Sequence, residues 1–417
     1  MEKTELEEVF CYGLDLGWES ALISRYNAGK NEPEPVCCDR DGQELSMPVV
    51  LARRTADGEW LYGKEAARVV ARGEALGAYG LLRRLLSGEE LSLGGETYRA
   101  EFLMEEYLRR ILALMGQQGG SAVTMLAVTL PEGALAAGGV LTDILARLGV
   151  GRERVLLLSH TECFMRYIVN MRQELWKNDT ILFECGDEYF YYDRVYFSRK
   201  REPLSVMSKH GDLTEEYFGG GICREEAERR AYWFYNMVQQ QLANQPVTSV
   251  FVTGSGFLDG WVMGALQKLC DGRRVFYGQN LFARGACYAA HMHIEGQACL
   301  FLGENMTRED IMVKAYHDAK EQYFLLSEAG SDYRTVRRSL RLVLDDTSEV
   351  EFLVDHVMRR EPLHEVMILD HLMQRENKTV RLELRLFYVD RDTPVVQLRD
   401  IGFGRAGTTH RIWEQIL

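Results

Sequence analysis

Tyr12-Gly13-Leu14-Asp15-Leu16-Gly17-Trp18-Glu19-Ser20-Ala21-Leu22-Ile23-Ser24 is an apolar run that carries one acid, turns at Gly17 and resumes as an apolar, small-residue strand. Apolar residues on both sides of a glycine turn read as a β-hairpin with a carboxylate near its tip. That is the shape of a hairpin that holds a phosphate through backbone N–H groups. Trp18 stands where such a hairpin would take a small residue.

The same arrangement recurs further along. Residues 180–185 form an apolar strand that turns at Gly186-Asp187-Glu188 and resumes as the alternating 189–197. Each hairpin places an acid two residues before a glycine, Asp15-Leu16-Gly17 and Glu184-Cys185-Gly186. Between the hairpins lie a polar connector with Pro33, Pro35 and a turn at 39–42, a strand at 45–52, and a strand ending at Gly63. Helices follow at 76–86 and 102–115, then a strand at 123–130, a helix at 138–148, a strand at 154–158 and a helix at 161–175. After the second hairpin come Gly219-Gly220-Gly221, a helix at 225–242, a strand at 249–252 and the loop Thr253-Gly254-Ser255-Gly256. A helix at 259–270, a strand at 274–277 and a helix at 282–293 complete this part. Strand and helix alternation of this kind predicts right-handed βαβ units in a mostly parallel sheet.

The pattern changes after His293. Residues 295–305 read as a short strand, and Thr307-Arg308-Glu309-Asp310 as a capped helix start running to Leu326. Strands are expected at 340–344, 351–354, 363–369, 379–389 and 395–401. The strict alternation of 379–386 buries one face and leaves the other charged. Asp400 to Gly404 and the aromatic tail around Trp413 close the chain.

With 417 residues, 46% hydrophobic and 27% charged, the chain can bury a large core and form more than one domain. A net charge of −13 argues against a nucleic-acid partner. Its nine cysteines show no C-x-x-C or Cys/His ligand spacing, which fits a reducing cytoplasm. Residues 1–8 are mostly charged, and no run of about 18 apolar residues appears, so neither a signal peptide nor a membrane association is expected.

Taken together, the segments from residue 9 to 293 resemble the ATPase domain shared by actin, Hsp70-type chaperones and sugar kinases, most closely the Hsp70 (DnaK-like) form. Gly13 to Gly17 resembles the first phosphate motif, residues 180–190 the second, and residues 251–256 the adenosine motif. Met47-Pro48-Val49-Val50 and Tyr62 to Ala67 resemble the next two chaperone strands. Ser159-His160-Thr161-Glu162 and Ala283-Arg284-Gly285-Ala286 resemble the starts of the two connecting helices. The resemblance implies an α/β fold: a two-lobed, ribonuclease H-like domain with reduced insert subdomains over 1–297, the lobes at about 9–176 and 177–297. A C-terminal domain of one helix plus β-sheet over 298–417 would follow.

The resemblance also implies a site. If retained, it would bind ATP or ADP through Asp15, Gly17, Trp18, Glu184, Gly186, Gly220, Gly254, Ser255 and Gly256, with Asp15 and Glu184 holding Mg²⁺ through water. If degenerate, it would hold no cofactor. The chain departs from the family at Trp18 and Glu19, at the second hairpin's Gly186-Asp187-Glu188-Tyr189, and in the shortened stretch between Gly186 and Gly254. The family's catalytic acid falls on Ser159 or His160, and its catalytic lysine has Arg83 as counterpart. Plainer readings stand beside these: Asp15 as a turn residue, Gly254 to Gly256 as a strand-to-helix turn, and His160 as a helix start. The expectation is a cytoplasmic, non-hydrolysing pseudo-ATPase that binds a protein partner, with an active Mg-ATP-dependent chaperone-like ATPase as the alternative.

Overall fold

The computed structural model describes residues 9–38, 45–116, 123–200, 202–243, 246–296, 299–372, 376–402, 407–409 and 411–417. The charged residues 1–8, the turn expected at 39–42 and residues 403–404 lie outside them. The chain divides into two compact units, Met1–Arg194 with Gly211–Gln297, and Val195–His210 with Ala298–Leu417. The fold is mixed α/β with several sheets, and its C-terminal region is rich in β-structure.

In the first unit one sheet has the order Val155–Ser159, Met125–Leu130, Cys11–Leu16, Ser20–Asn27, Glu32–Pro35, with Ser46–Pro48 also paired to Ser20–Asn27. Cys11–Leu16 runs parallel to Met125–Leu130 and antiparallel to Ser20–Asn27. Both central strands are buried along their whole length, which is why they read as unbroken apolar runs. Glu32–Pro35 lies at the edge, where prolines are tolerated because no ladder donor is needed on the open side.

A second sheet repeats the plan. Its six-strand order begins Arg274–Tyr277, Val247–Thr253, Asp179–Cys185, Phe190–Ser198, and the first three are parallel. The repeat extends to single positions. Asp15 pairs with Thr129 on its parallel neighbour, and Glu184 pairs with Thr253 on its own. Each sheet has its own core: Leu14, Leu16, Tyr107, Ile111 and Leu141 on one side, and Phe183, Phe190, Phe234, Phe257 and Trp261 on the other.

Helix Leu281–Glu295 lies directly on the first strand. A Cβ on Gly13 would sit 2.1 Å from Ala283 O and 2.3 Å from Cys287 N, so only glycine lets helix and strand approach this closely. Gly285 does the same where this helix crosses His160–Val169, because its Cβ would meet Cys163 O at 2.1 Å.

Several expected helices are shorter than their apolar patterns. Residues 76–86 split into the strand Ala75–Ala78 and the helix Leu81–Ser87, separated by Gly80 at φ 63°. The helix expected at 161–175 is His160–Val169, followed by a 3₁₀ turn at Gln173–Leu175. The one expected at 259–270 is Met263–Leu269.

In the second unit, Glu309–His317, Lys320–Ser327, Glu349–His356 and Leu363–Ile368 form one antiparallel sheet. Arg337–Val343, Arg381–Tyr388, Pro394–Asp400 and Ile412–Ile416 form another. Ile311, Val313, Phe352 and Val354 from the first share a core with Leu382, Leu384, Leu386 and Trp413 from the second. The helix expected from Thr307 to Leu326 is a β-hairpin. Asp318 and Ala319 at its tip have φ of 51° and 62°, the pair of left-handed residues that a two-residue hairpin turn uses. Thr307 does not cap a helix; its hydroxyl donates to Glu328 O at 2.9 Å. No helix occurs among the described residues after 298, so the helical part of the expected C-terminal domain is corrected.

Candidate functional site

Asp15 and Glu184 each stand one residue from the end of their strand, and the sheets bring both to one cleft. Between them is His160, the first residue of helix His160–Val169. Ser159 caps this helix: its hydroxyl accepts from Glu162 N–H while Ser159 N–H donates to the Glu162 carboxylate at 2.9 Å. The reciprocal cap fixes the first turn, and with it the direction of the His160 ring.

The ring bridges the two acids. Nδ1 lies 2.9 and 3.0 Å from the two oxygens of Glu184, and Nε2 lies 3.1 Å from Asp15 Oδ1. Phe282 stacks on the ring at 3.8 Å, and Tyr189 Oη donates to Glu184 Oε1 at 2.7 Å. Asp15, His160 and Glu184 are each about 5% exposed or less. A neutral imidazole has one N–H and would present a bare lone pair to one of the carboxylates, so this geometry calls for imidazolium. Burial alone lowers the His160 pKa, but the charges of Glu184 and Asp15 outweigh it and raise it to about 10. Burial raises the Asp15 carboxyl, with the His160 charge opposing it. With the ring protonated, the bridge holds one positive charge between the two carboxylates.

Three glycine N–H groups around this bridge are bonded to other residues of the protein. Gly17 N–H donates to Ser20 O and Gly186 N–H to Tyr189 O, both at 3.0 Å. Gly254 N–H donates to Gln279 Oε1 at 3.2 Å, and Gln279 Nε2 returns a bond to Gly254 O at 3.3 Å. Ser255 Oγ donates to Asp187 Oδ1 at 2.8 Å. Arg83 lies over the Trp18 ring and pairs with Glu188 at 2.7 Å. The space left among these groups is about 100 Å³, well below the roughly 300–1,000 Å³ of small-molecule sites.

Of the residues expected from sequence, Asp15, Gly17, Trp18, Glu184, Gly186, Gly254 and Ser255 line the cleft. Gly220 and Gly256 are not among its lining residues. Gly220 closes a turn by donating to Glu215 O at 2.8 Å, and Gly256 packs on Cys185, where a Cβ would meet Sγ at 2.4 Å. Gln279 and Phe282 had no expected role, Tyr189 was expected only to pack in the core or between lobes, and His160 was expected only as a helix start or the position of a catalytic acid. The capping box gave His160 its place; the meeting of one strand end from each sheet at the cleft gave it its partners. Asp15 and Glu184, the expected metal holders, are spanned by an imidazolium whose nitrogens both donate and so cannot ligate a cation. Among the described residues no group of three or more His, Cys, Asp or Glu is placed to hold a metal ion.

A family model described as "Family of unknown function (DUF5716) C-terminal" matches residues 32–304, more than half of the chain. The chain belongs to the DUF5716 family. The DUF5716 match takes in His160, Glu184, Gly254 and Gln279 and begins after the hairpin that carries Asp15 and Trp18. A second model, "Domain of unknown function (DUF8552)", matches residues 306–417. No curated protein matches the chain.

Proposed function

We propose that the first unit is a two-lobed domain of the actin/Hsp70 type, closest to the Hsp70 form, that no longer hydrolyses ATP and acts as a protein-binding scaffold. The repeated sheet order, with one acid at the same point of each repeat, supports the architecture. The observation that carries the loss of activity is the His160 bridge. An imidazolium stands between the two carboxylates where the resemblance would have metal-bound water, and it engages both oxygens of Glu184 and Oδ1 of Asp15.

Electrostatics point the same way. Among the described lining residues, five carboxylates (Asp15, Glu19, Glu184, Asp187, Glu188) face two cationic groups, Arg83 and His160. A carboxylate about 5 Å from a phosphate oxygen opposes it by roughly 3 kcal/mol at an effective dielectric near 20. The N–H groups of Gly17, Gly186 and Gly254, which would offset this, are bonded to Ser20, Tyr189 and Gln279. The β-rich second unit supplies further surface for a protein partner. None of the nine cysteines forms a disulfide, which supports a reducing compartment such as the cytoplasm; no helix among the described residues is long and apolar enough to cross a membrane.

Thermal melting with and without Mg-ATP tests the reading. No change in melting temperature at millimolar Mg-ATP is expected. Ligand at a hundred times its dissociation constant would stabilise the chain by about 2.7 kcal/mol, and a shift on that scale would overturn the scaffold in favour of the Mg-ATP-dependent chaperone-like ATPase.

A further inference from the structure

The mouth of the cleft carries chemistry that the buried bridge does not use. Trp18 lies half-buried at the tip of the first hairpin, its ring beside Gly133, whose Cβ would stand 3.6 Å from Trp18 Cζ2. The Arg83 guanidinium carbon is 5.0 Å from the centroid of this ring. The same group donates to Glu188 Oε2 at 2.7 Å. Glu19 and Asp187 line the mouth as well. Burial raises the Glu19 carboxyl, Arg83 opposes the rise, and Asp187 and Glu188 add to it. One guanidinium thus sits on an indole face in the field of three carboxylates, an arrangement suited to a planar, weakly hydrated cation.

We propose that this cradle receives an arginine side chain from an extended basic segment of the partner protein, which displaces Arg83. The inference rests on the scaffold reading and names the chemistry of the partner it would bind. Arg83 is an internal occupant, and its hold is weak: its side chain is 49% exposed and that of Glu188 66%, and ion pairs this open contribute little. It extends from helix Leu81–Ser87, which Leu81, Leu82 and Leu85 anchor in the core, so the side chain can leave without moving the helix. Arginine is favoured over lysine because its flat guanidinium can stack on Trp18 and fork to a carboxylate together. The net charge of −13 steers a basic segment toward the chain.

Calorimetric titration of the full chain with the probe acetyl-Gly-Arg-Gly-amide tests this. Arg83→Ala empties the cradle and should bind the probe about tenfold more tightly than wild type, the scale of one aromatic–cation contact. Adding Trp18→Ala should remove the gain, and the lysine version of the probe should bind more weakly than the arginine one. Arg83→Gln serves as the second variant should the alanine chain melt early. Equal affinity of the Arg83 variants and wild type, or a gain that survives the loss of Trp18, would overturn the cradle. Failure here with no Mg-ATP shift leaves the scaffold standing; a Mg-ATP shift overturns the scaffold whatever the peptide does.

Discussion

Replacing His160 by alanine would leave Asp15 and Glu184 facing each other in a closed site, Glu184 keeping only the Tyr189 hydroxyl and both losing the imidazolium between them. Removing one member of a buried ion pair costs about 3–5 kcal/mol, and urea denaturation of His160→Ala should show a loss of that order. The pH dependence has a defined sign. The folded His160 pKa is raised from 6.5 to about 10, so the bridge contributes fully below pH 6.5 and its contribution is lost as pH rises through about 10. Asp15, also raised, acts in the same direction from lower pH. Wild type should therefore lose stability between pH 6.5 and about 10, and His160→Ala should lose less over that window. Identical slopes would show that the ring carries no charge. Gly13 has a packing role in the fold. The sequence reading placed it in a phosphate motif, whereas its space is taken by the backbone of Ala283 and Cys287.

Among the elements, the two hairpins and the parallel strands were legible because burial writes itself as alternation or as unbroken apolar runs. Residues 307–326 were not, because Thr307-Arg308-Glu309-Asp310 carries the signal of a capped helix, while the deciding feature is a turn with no glycine or asparagine to announce it. Asp318 and Ala319 adopt left-handed conformations that non-glycine residues reach at a cost of roughly 1–2 kcal/mol. Ala319→Gly should relieve part of this and stabilise the second unit by about 1 kcal/mol, measured as an upward shift of its denaturation midpoint. An unchanged or lowered midpoint would show that the tip is not strained. The site was legible only in part for a related reason. Asp15 and Glu184 announce themselves beside glycines, but the bridge between them depends on pairings 145 and 24 residues apart, which no local pattern records.

For the whole molecule, the expected boundary at 297/298 and the observed units differ over one segment: Val195–His210 belongs with the C-terminal unit. The reason is a strand pair. Leu204–Asp212 runs parallel to Cys299–Leu302, and Met207 is buried with Leu302, Ala329 and Val357. Ser198 Oγ donates to Val357 O at 2.7 Å. A fragment of residues 299–417 would lack these partners. It should bind a hydrophobic dye and melt with low cooperativity, and a peptide of residues 195–210 added in excess should suppress the dye signal. A fragment as well ordered without the peptide as with it would show that the segment is dispensable.

That excursion also bears on how the chain is made. Leu204–Asp212 leaves the ribosome long before Cys299–Leu302, its parallel partner, and synthesis at about 5–20 residues per second makes the wait several seconds. Through that interval a β-strand with buried-type residues such as Val206 and Met207 has an open edge, the kind of surface that chains pair with wrongly. The second unit thus cannot reach its native state until both distant pieces have been translated, which makes its yield sensitive to the pace of translation between codons 212 and 299.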